Sequence, residues 1–152
     1  MQRTGTLENS PEKKQMRGNY FIDTNSLVYL VSKEDEKKHT QIKEIISTKN
    51  SNFFISIQNL KEFANISLKK SDKSIEKINS TMEKLMKKFN LLIELNDDIF
   101  YAVTIAKRKN FYDALLVATM KRNGIKKIIT ENEKDFLEFK GIKTINPFRW
   151  TT

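Results

Sequence analysis

The stretch Asn19-Tyr20-Phe21-Ile22-Asp23-Thr24-Asn25-Ser26-Leu27-Val28-Tyr29-Leu30-Val31 decides the fold. Tyr20-Phe21-Ile22 is a short aromatic and β-branched run and reads as a buried strand. Asp23-Thr24-Asn25 bounds it, and Asn25 to Val31 reads as a helix. The chain passes from strand to helix with no hairpin turn between them.

The same alternation repeats downstream. Lys37 to Thr48 carries Ile42, Ile45 and Ile46 at helical spacing. Phe53-Phe54-Ile55-Ser56 predicts a second strand, and Ile57, Leu60, Ala64, Ser67 and Leu68 a helical stripe. Ile75, Ile78, Met82, Leu85 and Phe89 predict a further helix over Lys73 to Phe89. Leu91 to Leu95 reads as the third strand, and Asn96 to Lys109 as a helix burying Ile99, Val103 and Ala106. Asp113 to Asn123 is apolar nearly all round, as a buried helix would be, with Gly124 as its C-terminal stop. Lys127-Ile128-Ile129-Thr130 and Lys143-Thr144-Ile145 complete five strands. Strands separated by helices and lacking Gly-rich hairpins require crossovers, hence a parallel sheet. The expected fold is α/β, a three-layer α/β/α sandwich around a roughly five-stranded parallel sheet. Residues 1–18 show no apolar periodicity and read as a flexible arm or an upstream-start extension, with Met16 as a possible initiator. Residues 19–152 form one domain.

Composition narrows the chemistry. With no cysteine, thiolate zinc sites, disulfides and cysteine nucleophiles are excluded, and nothing requires an oxidising compartment. A cytoplasmic location is the expectation. The one histidine, His39, lies in the polar run Glu34 to His39 and reads as a solvated helix residue. No GxGxxG or GxxxxGK[ST] motif is present, which argues against dinucleotide and P-loop sites. No apolar run reaches the roughly 18 residues of a membrane span, so no membrane partner is expected. Twenty-eight Lys and Arg against 19 Asp and Glu give a net charge of +9, which attracts polyanions.

The acids stand where a parallel sheet would gather them. Asp23 follows the first strand, Glu62 lies early in the helix after the second, and Asp113 heads the buried helix. Glu131, Asn132, Glu133 and Asp135 follow the fourth strand. Each has an ordinary reading: Asp23 and Asp113 suit helix caps, Glu62 a solvated face, and the last group a polar loop. Ligands in open parallel sheets bind beyond the carboxyl ends of the strands, however, and these positions share that edge. Clustered carboxylates repel unless protonated or neutralised by a cation. Mg²⁺ and Mn²⁺ are the hard ions that oxygen ligands hold, and phosphodiester hydrolysis is the chemistry that such clusters most often serve.

Four ordered blocks then resemble a family. Asn19 to Asn25 looks like the opening strand and D-[ST]-[NS] turn of PIN-domain nucleases, and Ile55 to Phe63 is similar to their second-strand and acidic-helix block. Asn110 to Thr119 resembles the central F-x-D-A-L block, and Ile129 to Phe136 the closing T-x-N-x-x-D-F block. Ile142 to Pro147 looks like the terminal strand and N-P, and the size is most similar to VapC-type toxins.

The resemblance implies a Mg²⁺- or Mn²⁺-dependent endoribonuclease acting on structured RNA, a homodimer, and an antitoxin that occludes the site. Asp23, Glu62 and Asp113 match the three core acids. Asn132 stands where many members carry a fourth, and Asp135 can supply the missing charge. Asp23 and Asp113 would hold the metal, with Glu62 and Asn132 as further ligands. Glu62 or Asp135 would orient or deprotonate the attacking water. Thr24, Asn25 and Thr130 would orient the carboxylates by hydrogen bonds. Lys107, Arg108 and Lys109, just before Asp113, are the expected RNA phosphate contacts. Phe53, Phe54, Phe63, Phe89 and Phe100 read as core. Two other classes are weighed beside this one. An aspartyl phosphatase usually carries a second Asp where Asn25 stands, and a phosphoacceptor receiver an acidic pair that is absent near Asp23. A non-catalytic RNA-binding domain would fit the neutral Asn132.

Overall fold

The computed structural model describes residues 17–70, 72–108 and 110–149. The arm read over residues 1–18, including Met16, lies outside them up to residue 16. Strand β1 opens at Gly18, two residues before the aromatic run, and its first amide donates to the Asn50 carbonyl at 3.1 Å.

The elements follow as β1 (Gly18–Ile22), α1 (Thr24–Val31), α2 (Glu36–Ile46), β2 (Ser51–Ser56), α3 (Ile57–Leu68) and α4 (Ile75–Lys88). Then come β3 (Asn90–Leu92), α5 (Asn96–Ile105), α6 (Phe111–Arg122), β4 (Lys127–Ile129), a 3-10 turn (Glu133–Phe136) and β5 (Lys143–Ile145). The five strands form one sheet in the order β3-β2-β1-β4-β5, with every neighbouring pair parallel. No helix among the described residues is long and apolar enough to cross a membrane.

Strand alternation sorts the core into two layers. Phe21 and Ile128 point to the side covered by α5 and α6, where they meet Ala114 to Ala118 and Met120. Tyr20, Ile22, Phe53, Ile55 and Ile129 point to the other side, against Leu27, Ile45, Phe63, Leu85 and Phe89 from α1 to α4 and the end of α4. Helix α6 is apolar nearly all round because Ala114 to Met120 are all buried. It ends where Gly124 takes a left-handed φ of 73°, which lets the Ile125 amide reach back to the Met120 carbonyl at 2.9 Å.

Several expectations need correction. The third strand stops at Leu92, and Ile93 and Leu95 are exposed. Helix α5 ends at Ile105 instead of continuing to residue 109, because Lys107 and Arg108 take left-handed φ of 49° and 66° and cannot extend it. Its buried residues are Asp98 and Ala102; Ile99, Val103 and Phe100 face outward, Phe100 at 73% exposure. The cause is an ion pair. Arg122 of α6 donates to Asp98 through Nε at 2.8 Å and Nη2 at 3.0 Å, and the Thr119 hydroxyl adds a third bond at 3.1 Å. This rotates α5 by one residue from the face that hydrophobicity alone selects. In α3 the buried set is Gln58, Asn59, Phe63 and Ser67, while Leu68 is exposed. His39 is half-buried, with Nδ1 3.0 Å from the Tyr29 carbonyl, and is not a purely solvated residue.

Candidate active site

Helices α1 to α4 belong to the connections that run outward from β1 through β2 to β3, whereas α5 and α6 carry the chain back to β4 on the other side of β1. The strand order therefore switches between β1 and β4, and the crevice opens beyond their carboxyl ends. Asp23 leaves β1 there. Its amide donates to the Ile129 carbonyl at the end of β4, 3.0 Å away. One carboxylate oxygen accepts from the Thr24 amide at 2.8 Å and the other from the Thr130 hydroxyl at 2.8 Å. Asp23 is the N-cap of α1 as well as a cleft residue, so both readings of it hold. The Thr130 hydroxyl also accepts from the Asn132 amide at 3.0 Å, which ties the loop after β4 to the same carboxylate.

Glu62 is placed by a second chain of bonds. Ser56 and Asn59 form a capping box at the start of α3, with the Ser56 amide 2.6 Å from Asn59 Oδ1. The Asn59 amide nitrogen then donates to the Ile22 carbonyl at 3.3 Å and to the Thr24 hydroxyl at 2.9 Å. That hydroxyl in turn donates to Glu62 Oε1 at 2.5 Å. Glu62 is exposed, as its helical position predicts, yet it stands only one turn beyond buried Asn59 and so at the border of the packed face. Asp113 lies in the first turn of α6, the third residue of the helix and not its cap.

These groups share one cleft of about 310 Å³, lined by Asp23, Thr24, Asn25, Glu62, Asn65, Ile66, Asp113, Asn132 and Asp135. The acidic loop after β4 is sorted by its partners. Glu131 is drawn outward by Lys38 Nζ at 2.6 Å, and Glu133 by the Thr144 hydroxyl at 2.7 Å and Arg149 at 3.3 Å. Asn132 and Asp135 face the cleft. Of the expected basic contacts, Lys107 and Arg108 are exposed outside this lining, and Lys109 lies outside the described residues. Asn59, Asn65 and Ile66 are site residues that no motif flagged. Only the Ser56-x-x-Asn59 capping spacing could have pointed to Asn59.

The electrostatics follow from burial and crowding. Burial raises the Asp23 carboxyl; the Thr130 and Thr24 hydrogen bonds oppose this, and the charges of Glu62 and Asp135 add to it. Asp113 is pushed up to about 6, first by burial and then by Asp135, Asp23 and Glu62. Among the described residues no three carboxylate or histidine side chains are gathered into a ready-made metal cage. The donor set still suits a hard divalent cation: carboxylates and amide oxygens with no thiolate and no imidazole.

A PIN domain family model matches residues 20–142, which include all four cleft acids. Among curated proteins none matches the chain. Solved structures do match. The chain resembles one in VapBC-1 from nontypeable Haemophilus influenzae with a TM-score of 0.69 at 17% identity, covering 86% of this chain and 99% of that one. VapBC2 from Rickettsia felis, bound to a DNA fragment from its promoter, gives a TM-score of 0.66 at 18% identity, covering 84% and 98%. Mycobacterium tuberculosis VapC20, a Sarcin-Ricin loop cleaving toxin, gives 0.59 at 18%, covering 72% and 86%. At these identities the structural likeness is one of fold. The family model covers most of the sequence, and on that ground the chain belongs to the PIN domain family.

Proposed function

We propose that the protein is a Mg²⁺- or Mn²⁺-dependent endoribonuclease, the cytoplasmic toxin of a type II toxin–antitoxin pair. The observation that carries this reading is the convergence of Asp23, Glu62, Asp113 and Asp135 on one cleft at the carboxyl edge of the sheet. Asp23 and Asp113 would hold the cation, with Glu62 and Asn132 completing its oxygen ligands. Bound there, the ion supplies Lewis-acid polarisation of the phosphate and a more acidic water. Thr130 and the Thr24 amide fix both oxygens of Asp23, so its carboxylate does not have to reorganise during the reaction. Asn59 and Thr24 aim Glu62, which orients the attacking water. Asp135, in the same cleft, would accept its proton. The water attacks phosphorus in line, the P–O3′ bond breaks and the ribose 3′-oxygen leaves, so the products are a 5′-phosphate and a 3′-hydroxyl and the ribose 2′-hydroxyl takes no part.

The net charge of +9 supports an RNA substrate and equally an acidic antitoxin. The antitoxin reading draws support from the toxin–antitoxin complexes that share the fold. A homodimer is supported by exposed Leu95, Ile99 and Phe100 on and beside α5, within a stretch from Leu91 to Ala106 that contains no Lys or Arg. A second reading, a non-catalytic RNA-binding domain, is favoured by the neutral Asn132 where a fourth acid is expected. Incubation with a mixed RNA pool in Mg²⁺, in Mn²⁺ and in EDTA separates the two. Metal-dependent cutting that Asp23→Asn abolishes supports the nuclease; retention of RNA without cutting in any of the three supports the binding domain.

A further inference from the structure

A second and larger cleft, about 690 Å³, is lined by Val103, Ala106, Arg108, Asn110 and Phe111, and the chemistry above makes no use of it. None of the described residues that line it is a carboxylate. Its lining combines apolar and aromatic residues with one Arg and one Asn. Its volume lies within the range that ligand pockets occupy. Phe111 and Asp113 are the first and third residues of α6. Two residues turn about 200° around a helix axis, so ring and carboxylate leave α6 on opposite flanks, one into each cleft. Tyr112 stands between them at 67% exposure, its ring edge-on to Phe111 with centroids 5.3 Å apart.

These features fit the two halves of a nucleotide. Every base has a face that an aromatic ring can stack on, whatever the sequence. Arg presents a planar fork to a phosphate, and Asn offers both a donor and an acceptor to a base edge. A helix is about 10–12 Å across. A stacked strand advances about 3.4 Å per nucleotide. A strand with one phosphate at the acids therefore reaches the second cleft about three nucleotides away.

We infer that the cleft between α5 and the start of α6 is a base-binding subsite for single-stranded RNA, about three nucleotides from the scissile phosphate. Phe111 is its stacking surface and Arg108 its phosphate contact. The inference rests on the nuclease reading. The competing occupant is a second copy of the chain, since Val103 continues the exposed face of Ile99 and Phe100.

The test uses the full chain carrying Asp23→Asn, so that nothing is cut, and two probes of equal length: an oligouridylate and an abasic ribose–phosphate chain. Fluorescence anisotropy should give an affinity for the oligouridylate about 5- to 30-fold higher than for the abasic chain. Phe111→Leu keeps the apolar packing and should remove most of that preference while leaving the abasic affinity unchanged. Tyr112→Ala, at an exposed position, should reduce it without touching the core. Arg108→Ala should weaken both probes and lower the log-salt slope by about 0.7. A base preference that survives Phe111→Leu, or no preference in the parent, overturns the subsite. So does a change in sedimentation on Phe111→Leu with both affinities intact, which assigns the cleft to a second copy. If the Asp23→Asn protein binds neither probe and the unsubstituted protein cuts no RNA, the nuclease reading itself fails. Cutting without base preference overturns only the subsite.

Discussion

Replacing Asp113 with Asn removes one negative charge from a cleft that holds four carboxylates, and the metal-free fold should gain stability from it. Burial, followed by Asp135, Asp23 and Glu62, pushes the Asp113 carboxyl from 3.8 to about 6. At about 1.36 kcal/mol for each tenfold change in proton affinity, keeping it ionised costs the folded state about 3 kcal/mol. The cleft is open to water, which screens this to about 1–2 kcal/mol. A carboxylate in the first turn of a helix recovers about 0.3–1 kcal/mol through the helix dipole. The net gain for Asp113→Asn is then about 1 kcal/mol, or about 2–4 °C in Tm for a chain of this size. The pH dependence has a definite sign. Between 3.8 and about 6 the folded state holds the proton and the unfolded chain does not, so parental stability falls as pH rises through that window. Below it both states are protonated and the two proteins should be alike. Urea unfolding in EDTA at about pH 3 and about pH 7.5 measures both limits. A gain of equal size at both, or a loss at about pH 7.5, refutes the claim that burial, with the neighbouring carboxylates, makes ionised Asp113 costly to the fold. Mg²⁺ should reverse the ranking at neutral pH, because binding to the fold alone stabilises the parent and the substitution removes a ligand.

Other perturbations separate the site from the scaffold. Asn59→Ala leaves the Ile22 carbonyl and the Thr24 hydroxyl without their donor; it should cost about 1–3 kcal/mol and lower kcat with little change in KM, by freeing Glu62. Asp98→Ala breaks the pair with Arg122 that joins α5 to α6 and should cost about 3 kcal/mol, while cleavage per folded molecule stays unchanged. Burial alone would raise the Asp98 carboxyl, but its bonds from Arg122, the Leu95 amide and Thr119 together hold it below the usual range. Its contribution is therefore present at neutral pH and lost as pH falls below 3.8, opposite in sign to that of Asp113. Thermal unfolding across pH of Asp98→Ala beside Asp113→Asn checks both signs in one experiment.

The strand positions were legible because β-branched and aromatic runs such as Phe53 to Ile55 have no other comfortable place in a chain this charged. The gathering of the acids followed from topology: once the sheet is parallel, Asp23, Glu62, Asp113 and Asp135 must share an edge. Hydrophobic periodicity failed where polar groups are buried with partners. In α5 it selected Ile99 and Val103, because nothing in the sequence couples Asp98 to Arg122, 24 residues away. In α3 it passed over Asn59, whose fully buried amide holds Thr24 and the end of β1. The residues alone did not choose among Glu131, Glu133 and Asp135; the family resemblance chose Asp135, and Lys38, Thr144 and Arg149, from other segments, engage the other two.

The central claim is that these acids serve a water-attack hydrolysis, and isotope labelling of the cut RNA tests it most directly. RNA cleaved in Mg²⁺ and ¹⁸O-water should carry the label in the new 5′-phosphate and end in an unlabelled 3′-hydroxyl. Products bearing 2′,3′-cyclic phosphate and an unlabelled 5′-hydroxyl would contradict it.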